Sequence, residues 1–194
     1  MQQLFDPSLF ARMKRAAMLD PTLYDEVEHD LSATNQAVTI VCALAVANGI
    51  AGLLGLILGA VIGGSSGIGM SIFLIFLGMI FTVVGWVVWS YLTYWVGTTV
   101  FKGTATPGEL LRTLGFAHTP AFLGIVSFIP CLGALASLGG MIWMIVAGVI
   151  AVRQALDIDT GQAVITVILA AIPLLLFYGL ITAIGIFGAI ITSL

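Results

Sequence analysis

Long apolar runs alternate with short polar stretches along this chain of 194 residues. No Asp, Glu, Lys or Arg occurs in residues 31–101, 113–152 or 160–194. A soluble domain needs ionised groups on its surface, whereas a helix that crosses a bilayer needs about 20 apolar residues in succession. The pattern therefore predicts an all-α fold, a polytopic helical bundle in a membrane.

Five apolar segments are candidates for membrane spans. They lie at about residues 37–62, 69–96, 110–129, 132–152 and 163–191. A glycine- and serine-rich turn at 63–67 separates the first two, and Pro130 separates the third from the fourth. Residues 37–194 are thus predicted to form one transmembrane domain of five helices.

The third segment is short for a span. As an α-helix, Gly115 to Ile129 would measure only about 22 Å, against about 30 Å for the hydrocarbon core of a bilayer. The segment spans if its helix begins near Leu110 and the Arg112 side chain extends to the headgroups. The alternative is a re-entrant hairpin with residues 132–152.

The positions of the basic residues favour five spans. With five spans, all six Lys and Arg lie on one side of the membrane, whereas four spans would move Arg153 to the other side. Basic residues concentrate in cytoplasmic segments. We therefore predict a plasma-membrane protein with its N-terminus in the cytoplasm and its C-terminus outside.

Residues 1–36 are predicted to be a cytosolic amphipathic helical segment. Asp6 and Asp20 each precede a proline, the pattern of a helix N-terminus. The first of these helices has an apolar stripe bordered by Arg12, Lys14 and Arg15. It is expected to lie on the bilayer surface with its basic residues toward anionic lipid, or to cap the cytosolic ends of the spans, and the two placements are compatible.

Composition argues against most kinds of chemistry. The chain is 60% hydrophobic and 8% charged, with a mean hydropathy of +1.19. No ionisable residue lies in the middle of a predicted span, which argues against a proton relay or an intramembrane protease. Cys42 and Cys131 are expected to be buried thiols, and His29 and His118 to be structural. We predict no enzyme activity, no catalytic residues, no cofactor, no metal site and no nucleic-acid partner.

The most distinctive polar residues lie at the predicted cytoplasmic face. Glu109 and Arg112 are three residues apart, and Arg153 and Asp157 are four apart, so each pair shares a helix face. We expect one polar cluster that links the two segments. Its members would be Glu109, Arg112, Arg153, Gln154 and Asp157. The alternative is two independent, solvated ion pairs that contribute little to stability.

Small and polar residues in the first span suggest helix contacts. Gly55, Gly59 and Gly63 repeat at every fourth position, a spacing that lets helix backbones approach closely. The contact would be within the monomer or between two copies. Asn48 is the one strongly polar side chain well inside this span, and we expect it to donate or accept a hydrogen bond with a neighbouring helix; a substrate-binding role is the alternative.

The chain resembles the Yip family (Ypt-interacting proteins, the Yip-one domain) in its short prokaryotic form. The resemblance covers roughly residues 18–190 and is strongest in LLRTLGFAHTP (Leu110–Pro120), IPCLG (Ile129–Gly133), the span that contains Trp143, and AVRQALDIDT (Ala151–Thr160). It implies five membrane helices, a cytoplasmic N-terminus and a C-terminus on the far side.

Eukaryotic members of the family bind Rab-type GTPases and act in vesicle traffic. This chain lacks the DLYGP-like motif expected before the first span, and the nearest text is Asp20–Tyr24 (DPTLY). GTPase binding is therefore not carried over.

Two functions remain open at this point. The first is a non-enzymatic scaffold or adaptor that docks an unidentified membrane or cytosolic protein, or a second copy of itself, through residues 25–30 and 107–120. The second is a transporter or channel for lipid or a small neutral solute, because short and broken helices are typical of transporter sites.

Overall fold

The structure, a computed structural model, describes residues 7–62 and 68–193, and the side chains of residues 8–62, 68–177, 179 and 180. It contains seven α-helices and one 3-10 helix in the described ranges, and no strand there. The α-helices are α1 (Pro7–Ala17), α2 (Pro21–His29), α3 (Ala33–Ile62), α4 (Ile68–Val100), α5 (Pro107–Ala117), α6 (Leu132–Leu156) and α7 (Thr160–Ser193). The 3-10 helix covers Thr119–Val126. The all-helical class predicted from the sequence is confirmed.

Within the residues that the structure describes, four helices are long and apolar enough to cross a membrane. They are α3, α4, α6 and the first part of α7, Thr160–Phe177. Large apolar side chains on them, such as Phe73, Leu135 and Leu175, point away from the protein and are more than half exposed. Such continuous apolar surface is suited to lipid.

The predicted third span is divided into two short helices. Its first half is α5, and its second half is the 3-10 helix, joined at His118. Both run antiparallel to α6. Three glycines of α6 mark the contact in order: Gly148 against Leu114, Gly140 against Pro120, and Gly133 against Ser127. The segment thus follows the length of α6 although it is too short to do so as one α-helix. A 3-10 helix rises about 2.0 Å per residue instead of 1.5 Å, which extends its reach.

One end of the bundle gathers most of the helix ends. The Thr104 N–H, after α4, donates a hydrogen bond of 3.1 Å to the carbonyl of Leu156, the last residue of α6. Gly115 of α5 lies against Ala37, near the start of α3. The arginines Arg12, Arg112 and Arg153 lie at this end, which we call the charged end.

The middle of α3 packs on α4 through glycines other than those expected. A Cβ atom at Gly49 would lie 2.6 Å from Met79 Sδ, and one at Gly52 would lie 3.0 Å from Ile75 Cγ1. The two helices therefore approach most closely at residues that the sequence pattern did not single out.

The buried core is concentrated at the charged end. Leu23, Tyr24, Leu110, Leu114 and Phe116, from α2 and α5, have no accessible surface. Helices α1 and α2 thus form a packed cap over α5 and the ends of the long helices. Of the two placements expected for the first helix, packing on the bundle is observed.

The helix starts and faces of the cap follow local rules. Asp20 caps α2 by accepting a hydrogen bond from the Thr22 N–H, and Pro21 occupies the first turn. In α1, Leu9 is buried while Phe10 faces outward, as does Met18 just after the helix. Asp6, the expected cap of α1, lies outside the described residues.

Candidate functional site: the charged end of the bundle

Glu109 forms a local cap at the start of α5. The Thr106 hydroxyl oxygen accepts a hydrogen bond from the Glu109 N–H, and Glu109 Oε2 accepts one of 2.8 Å from the Thr106 N–H. This is a capping box, which satisfies two backbone donors at a helix N-terminus. The Glu109 carboxylate is therefore turned toward its own helix start and away from Arg112.

Arg112 binds the end of α2. Its side chain is buried, and its Nε donates a hydrogen bond of 3.0 Å to the Val27 carbonyl. Its Nη2 donates to the Glu28 carbonyl, and its Nη1 lies 3.5 Å from the Thr34 hydroxyl oxygen. The last carbonyls of a helix lack partners within the helix and carry partial negative charge. Arg112 thus caps α2 from a different helix.

Arg153 and Asp157 also have separate partners. Arg153 donates two hydrogen bonds, of 3.2 and 3.1 Å, to Gln154 Oε1. Asp157 ends α6 in the left-handed conformation, with φ 53°, and its Oδ2 accepts a hydrogen bond from the Thr104 hydroxyl. Because Asp157 has left the helix, its spacing of four from Arg153 no longer brings the two side chains together.

The expected five-residue cluster is therefore not a connected one in this structure. All five residues lie at the charged end, but among the described residues only the side chains of Arg153 and Gln154 are hydrogen-bonded to each other. Neither expected ion pair, Glu109 with Arg112 or Arg153 with Asp157, is formed there. The burial of Arg112 was not predicted from the sequence. The apolar residues Leu110 and Leu114 on either side of it were the pattern that could have indicated this.

Ion pairs instead join α1 to α2. Arg12 Nη2 lies 2.7 Å from Glu26 and 2.8 Å from Asp30, and Arg15 lies 2.8 Å from Asp20 and 2.5 Å from Glu26. Sequence spacing could not reveal these pairs because they join two helices. We call these five residues the cap ion-pair network.

The network changes the acidity of its carboxyl groups. Hydrogen bonds from Arg15 lower the pKa of Glu26 and of Asp20. Hydrogen bonds from Ser32 and then Arg12 lower the pKa of Asp30. The charged forms of these carboxylates are therefore favoured in the folded protein.

Glu28 is a buried carboxyl group without a hydrogen-bond partner. Its side chain lies on the packed face of α2, is 7% exposed, and its Oε2 has no partner among the described residues. Burial raises its pKa to about 7, and the nearby charges of Asp157 and Glu109 act in the same direction. The signal in the sequence was its spacing of four from Tyr24, on the apolar face.

Two further ligand-type side chains flank Glu28. One atom each of Asp25, Glu28 and His29 lies within 4.8 Å of the others. His29 Nδ1 lies 2.9 Å from the Asp25 carbonyl oxygen, a hydrogen bond that raises the pKa of His29. Asp25 and His29 are exposed, whereas Glu28 is buried. The sequence predicted no metal site, and this grouping was missed.

The intramembrane candidates are placed near the 3-10 helix. Asn48 is exposed, and its Oδ1 lies 3.8 Å from the Cβ position of Gly124, as does Ser137 Oγ. No hydrogen bond of the Asn48 side chain is found among the described residues. Gly55 lies against Phe128, because a Cβ atom at Gly55 would lie 3.8 Å from Phe128 Cβ.

The glycine repeat of the first span has only one observed contact. A Cβ atom at Gly59 would meet no neighbour within 4 Å in the described chain, and Gly63 lies outside the described residues. Packing within the monomer thus holds for Gly55 alone among the described members of the repeat. Contact between two copies stays a prediction.

An apolar groove opens beside the 3-10 helix. It has a volume of about 370 Å³ and lies between the 3-10 helix, α6 and the end of α1. Its lining includes Ala17, Phe122, Val126, Ala136 and Trp143. The Thr119 hydroxyl, also on its wall, is buried without a partner among the described residues.

Comparisons with known proteins give a family. No curated protein and no solved structure matches the chain. The Yip1 domain matches residues 16–191, which is nearly the whole chain and includes α2, the long helices and the α5–3-10 segment. The chain therefore belongs to the Yip1-domain family, and it is a helical membrane protein of that family.

Proposed function

We propose that the protein is a non-enzymatic membrane scaffold or adaptor whose docking surface is the outer face of α1 and α2. The cap ion-pair network is the observation that carries this proposal. Five charged side chains hold two short helices in one arrangement outside the apolar helices. A preorganised charged surface favours recognition of a soluble partner, because less ordering is needed on binding.

The docking surface is narrower than the sequence suggested. Residues 107–120 were expected to contribute, but α5 is largely buried between α2, α3 and α6. The exposed groups of the cap belong to α1, α2 and the residues that directly follow each helix. They include Phe10, Met18, Asp25, Glu26 and Leu31. Apolar and acidic groups are thus interspersed on this face, which suits a protein partner.

We further propose five membrane crossings, with the charged end in the cytoplasm of a plasma-membrane protein and the C-terminus outside. Two observations support this topology. The α5–3-10 segment runs along α6 and brings the chain to the opposite end before α6 begins. The arginines Arg12, Arg112 and Arg153 share one end, in keeping with cytoplasmic enrichment of basic residues.

The adaptor proposal is tested by crosslinking in cells. A photoreactive amino acid is placed at Met18 or Leu31 on the cap, and at Phe73 on α4 as a control of similar exposure. We expect one protein, or a second copy of this chain, to be captured from both cap positions and not from Phe73. The captured protein should also bind the purified full chain. Lipid adducts alone at all three positions would refute the adaptor function.

A second candidate function is transport of lipid or a small neutral solute. It is favoured by the 3-10 segment, where the helix is interrupted beside Asn48, Gly124 and Ser137. Interrupted helices at membrane depth occur where they line a cavity, and they expose backbone groups to substrates. The apolar groove of about 370 Å³ adjoins the same helix.

Reconstituted vesicles distinguish this candidate. Transport predicts movement of a fluorescent phospholipid or a neutral solute across liposomes that contain the protein, and slower movement with Asn48→Leu. Gly139→Ala is the control, since a Cβ there meets no neighbour in the described chain. Movement equal to that in empty liposomes would exclude transport of the probes used.

A further inference from the structure

Asp25, Glu28 and His29 bring three ligand-type side chains together where the packed and exposed faces of α2 meet. Their spacing of three and four residues places them one turn apart on a helix. One possible ligand atom from each lies within 4.8 Å of the others. Asp25 and His29 are exposed, while Glu28 is held in the packed interior.

The Glu28 carboxylate is the independent sign that something is bound here. A carboxylate that is 7% exposed should have partners, since burying an unpaired charge is costly. Its Oε2 has none among the described residues. Arg112, the nearest cation in the core, uses its Nη2 on the Glu28 carbonyl instead. Glu28 Oε2 is therefore left without a hydrogen bond from Arg112, and His29 is the group whose positive charge acts on it.

The surrounding charges also favour a cation. The charges of Asp157, Glu109 and Asp25 all act on Glu28, and they come from the α6 end, α5 and α2 respectively. Glu109 Oε2 and Asp157 Oδ2 each already accept one hydrogen bond. We therefore expect these two carboxylates to attract the ion through their negative charge without binding it directly. A bound divalent ion would be attracted by the whole group.

We propose that Asp25, Glu28 and His29 bind a divalent transition-metal ion of the zinc or manganese type at the charged end. The His29 hydrogen bond to the Asp25 carbonyl places its ring proton on Nδ1, which leaves Nε2 as the ligand atom. One imidazole and two carboxylates suit Zn²⁺ or Mn²⁺ better than Mg²⁺ or Ca²⁺, which prefer oxygen ligands alone.

Bound metal would join α2 more firmly to the bundle. Glu28 lies against α5 and the end of α6, so an ion held by α2 would neutralise the like charges that face each other there. Ligand binding to the folded state alone stabilises it by mass action. The stability of the packed cap would therefore increase with the concentration of free metal ion in the surrounding solution.

The test uses the full chain in detergent, with its purification tag removed and metal stripped by a chelator. Cys42 and Cys131 are replaced by serine so that thiols do not compete for the ion. Titration calorimetry with ZnCl₂, and separately with MnCl₂, measures affinity and stoichiometry. We expect one site per chain and a rise in the unfolding temperature on binding.

Variants identify the ligands. His29→Gln and Asp25→Asn change exposed side chains and should fold, and each should weaken binding by about 10- to 100-fold. Asp159→Asn, an exposed carboxylate outside the group, should bind as the parent does. Absence of binding up to millimolar metal, or equal binding by all variants, would overturn the proposal.

Discussion

Arg112 illustrates how a charged residue is used inside this bundle. Its guanidinium satisfies the last carbonyls of α2, so that α2 and α5 are joined by a charged donor and not by an ion pair. Removal of such a donor lowers stability mainly because the buried carbonyl groups that it binds are left without a hydrogen bond.

We predict that Arg112→Ala destabilises the protein strongly. The Val27 and Glu28 carbonyls would lose their donor, at a cost of about 2–4 kcal/mol. Arg153→Ala, which loses only hydrogen bonds to Gln154, should cost less than about 1 kcal/mol. Denaturant titration of the detergent-solubilised protein measures both.

The double variant tests the five-residue cluster directly. Because Arg112 and Arg153 share no partner, their effects should add within about 0.5 kcal/mol. A larger coupling energy would mean that the two arginines belong to one network after all.

Two glutamates of α2 should respond in opposite ways to the same substitution. Above its pKa of about 7, Glu28 carries a buried unpaired charge, and Glu28→Gln is expected to raise the free energy of unfolding by about 1 kcal/mol in metal-free buffer at pH 8. Glu26→Gln removes the shared partner of Arg12 and Arg15 and should lower it. Thermal unfolding with a chelator present compares them, and a loss of stability in Glu28→Gln would show that its carboxylate is paired.

At the scale of elements, α1 and α2 form one unit because of charges, and their association should depend on pH. The pKa values of Asp20, Glu26 and Asp30 are lowered in the folded state. A group with a lowered pKa stabilises the fold above its unfolded pKa and loses this contribution as the pH falls through the folded value.

We therefore expect hydrogen-exchange protection of α1 to be constant near neutral pH and to fall below about pH 4. Protection factors measured by mass spectrometry at several pH values provide the test. A variant with both Arg12→Gln and Arg15→Gln should have weak protection throughout and little dependence on pH. Protection of α1 that persists at pH 3 in the parent protein would contradict the electrostatic account.

The hairpin between the 3-10 helix and α6 depends on close backbone contact. A Cβ atom at Gly133 would lie between 2.5 and 2.7 Å from backbone atoms of Ser127, which no side-chain rotation relieves. We predict that Gly133→Ala lowers the unfolding temperature markedly, whereas Gly139→Ala, with open space around it, changes it little. Equal effects of the two substitutions would mean that the hairpin is not closely packed.

At the scale of the whole molecule, the number of crossings follows from where the hairpin turn lies. Cys42 and Cys131 are both exposed, contrary to the expectation that they would be buried. Cys131 lies at that turn and follows a 3-10 helix that starts near the charged end. With five crossings, the Cys131 thiol lies on the outer side of the membrane. If the third segment did not cross, the thiol would not lie on the outer side.

We predict that Cys131, in a Cys42→Ser background, reacts with a membrane-impermeant maleimide in intact cells. A single cysteine at Thr160, near the charged end, should react only after permeabilisation. Labelling of detergent-solubilised protein gives the total for each site. If Cys131 labels in detergent but not in intact cells, the five-crossing topology is wrong.

The apolar runs by themselves determined that the chain is an all-α membrane bundle with a separate N-terminal helical segment. Charge-free stretches of this length have few other folded solutions, and α3, α4, α6 and α7 follow from them. The start of α2 was also readable, because Asp20 and Pro21 act through bonds to their own neighbours. The family could be identified from short sequence motifs such as Leu110–Pro120 together with the apolar spans.

Only the tertiary structure decided how the polar groups are used. Spacing within one helix suggested pairs such as Glu109 with Arg112, but the capping box and the carbonyls of α2 compete for the same side chains. The third segment is also divided into α5 and a 3-10 helix. The segment packs along α6, and the longer rise per residue of a 3-10 helix suits that contact. Contacts between residues distant in sequence are set by the arrangement of whole helices, which no local pattern records.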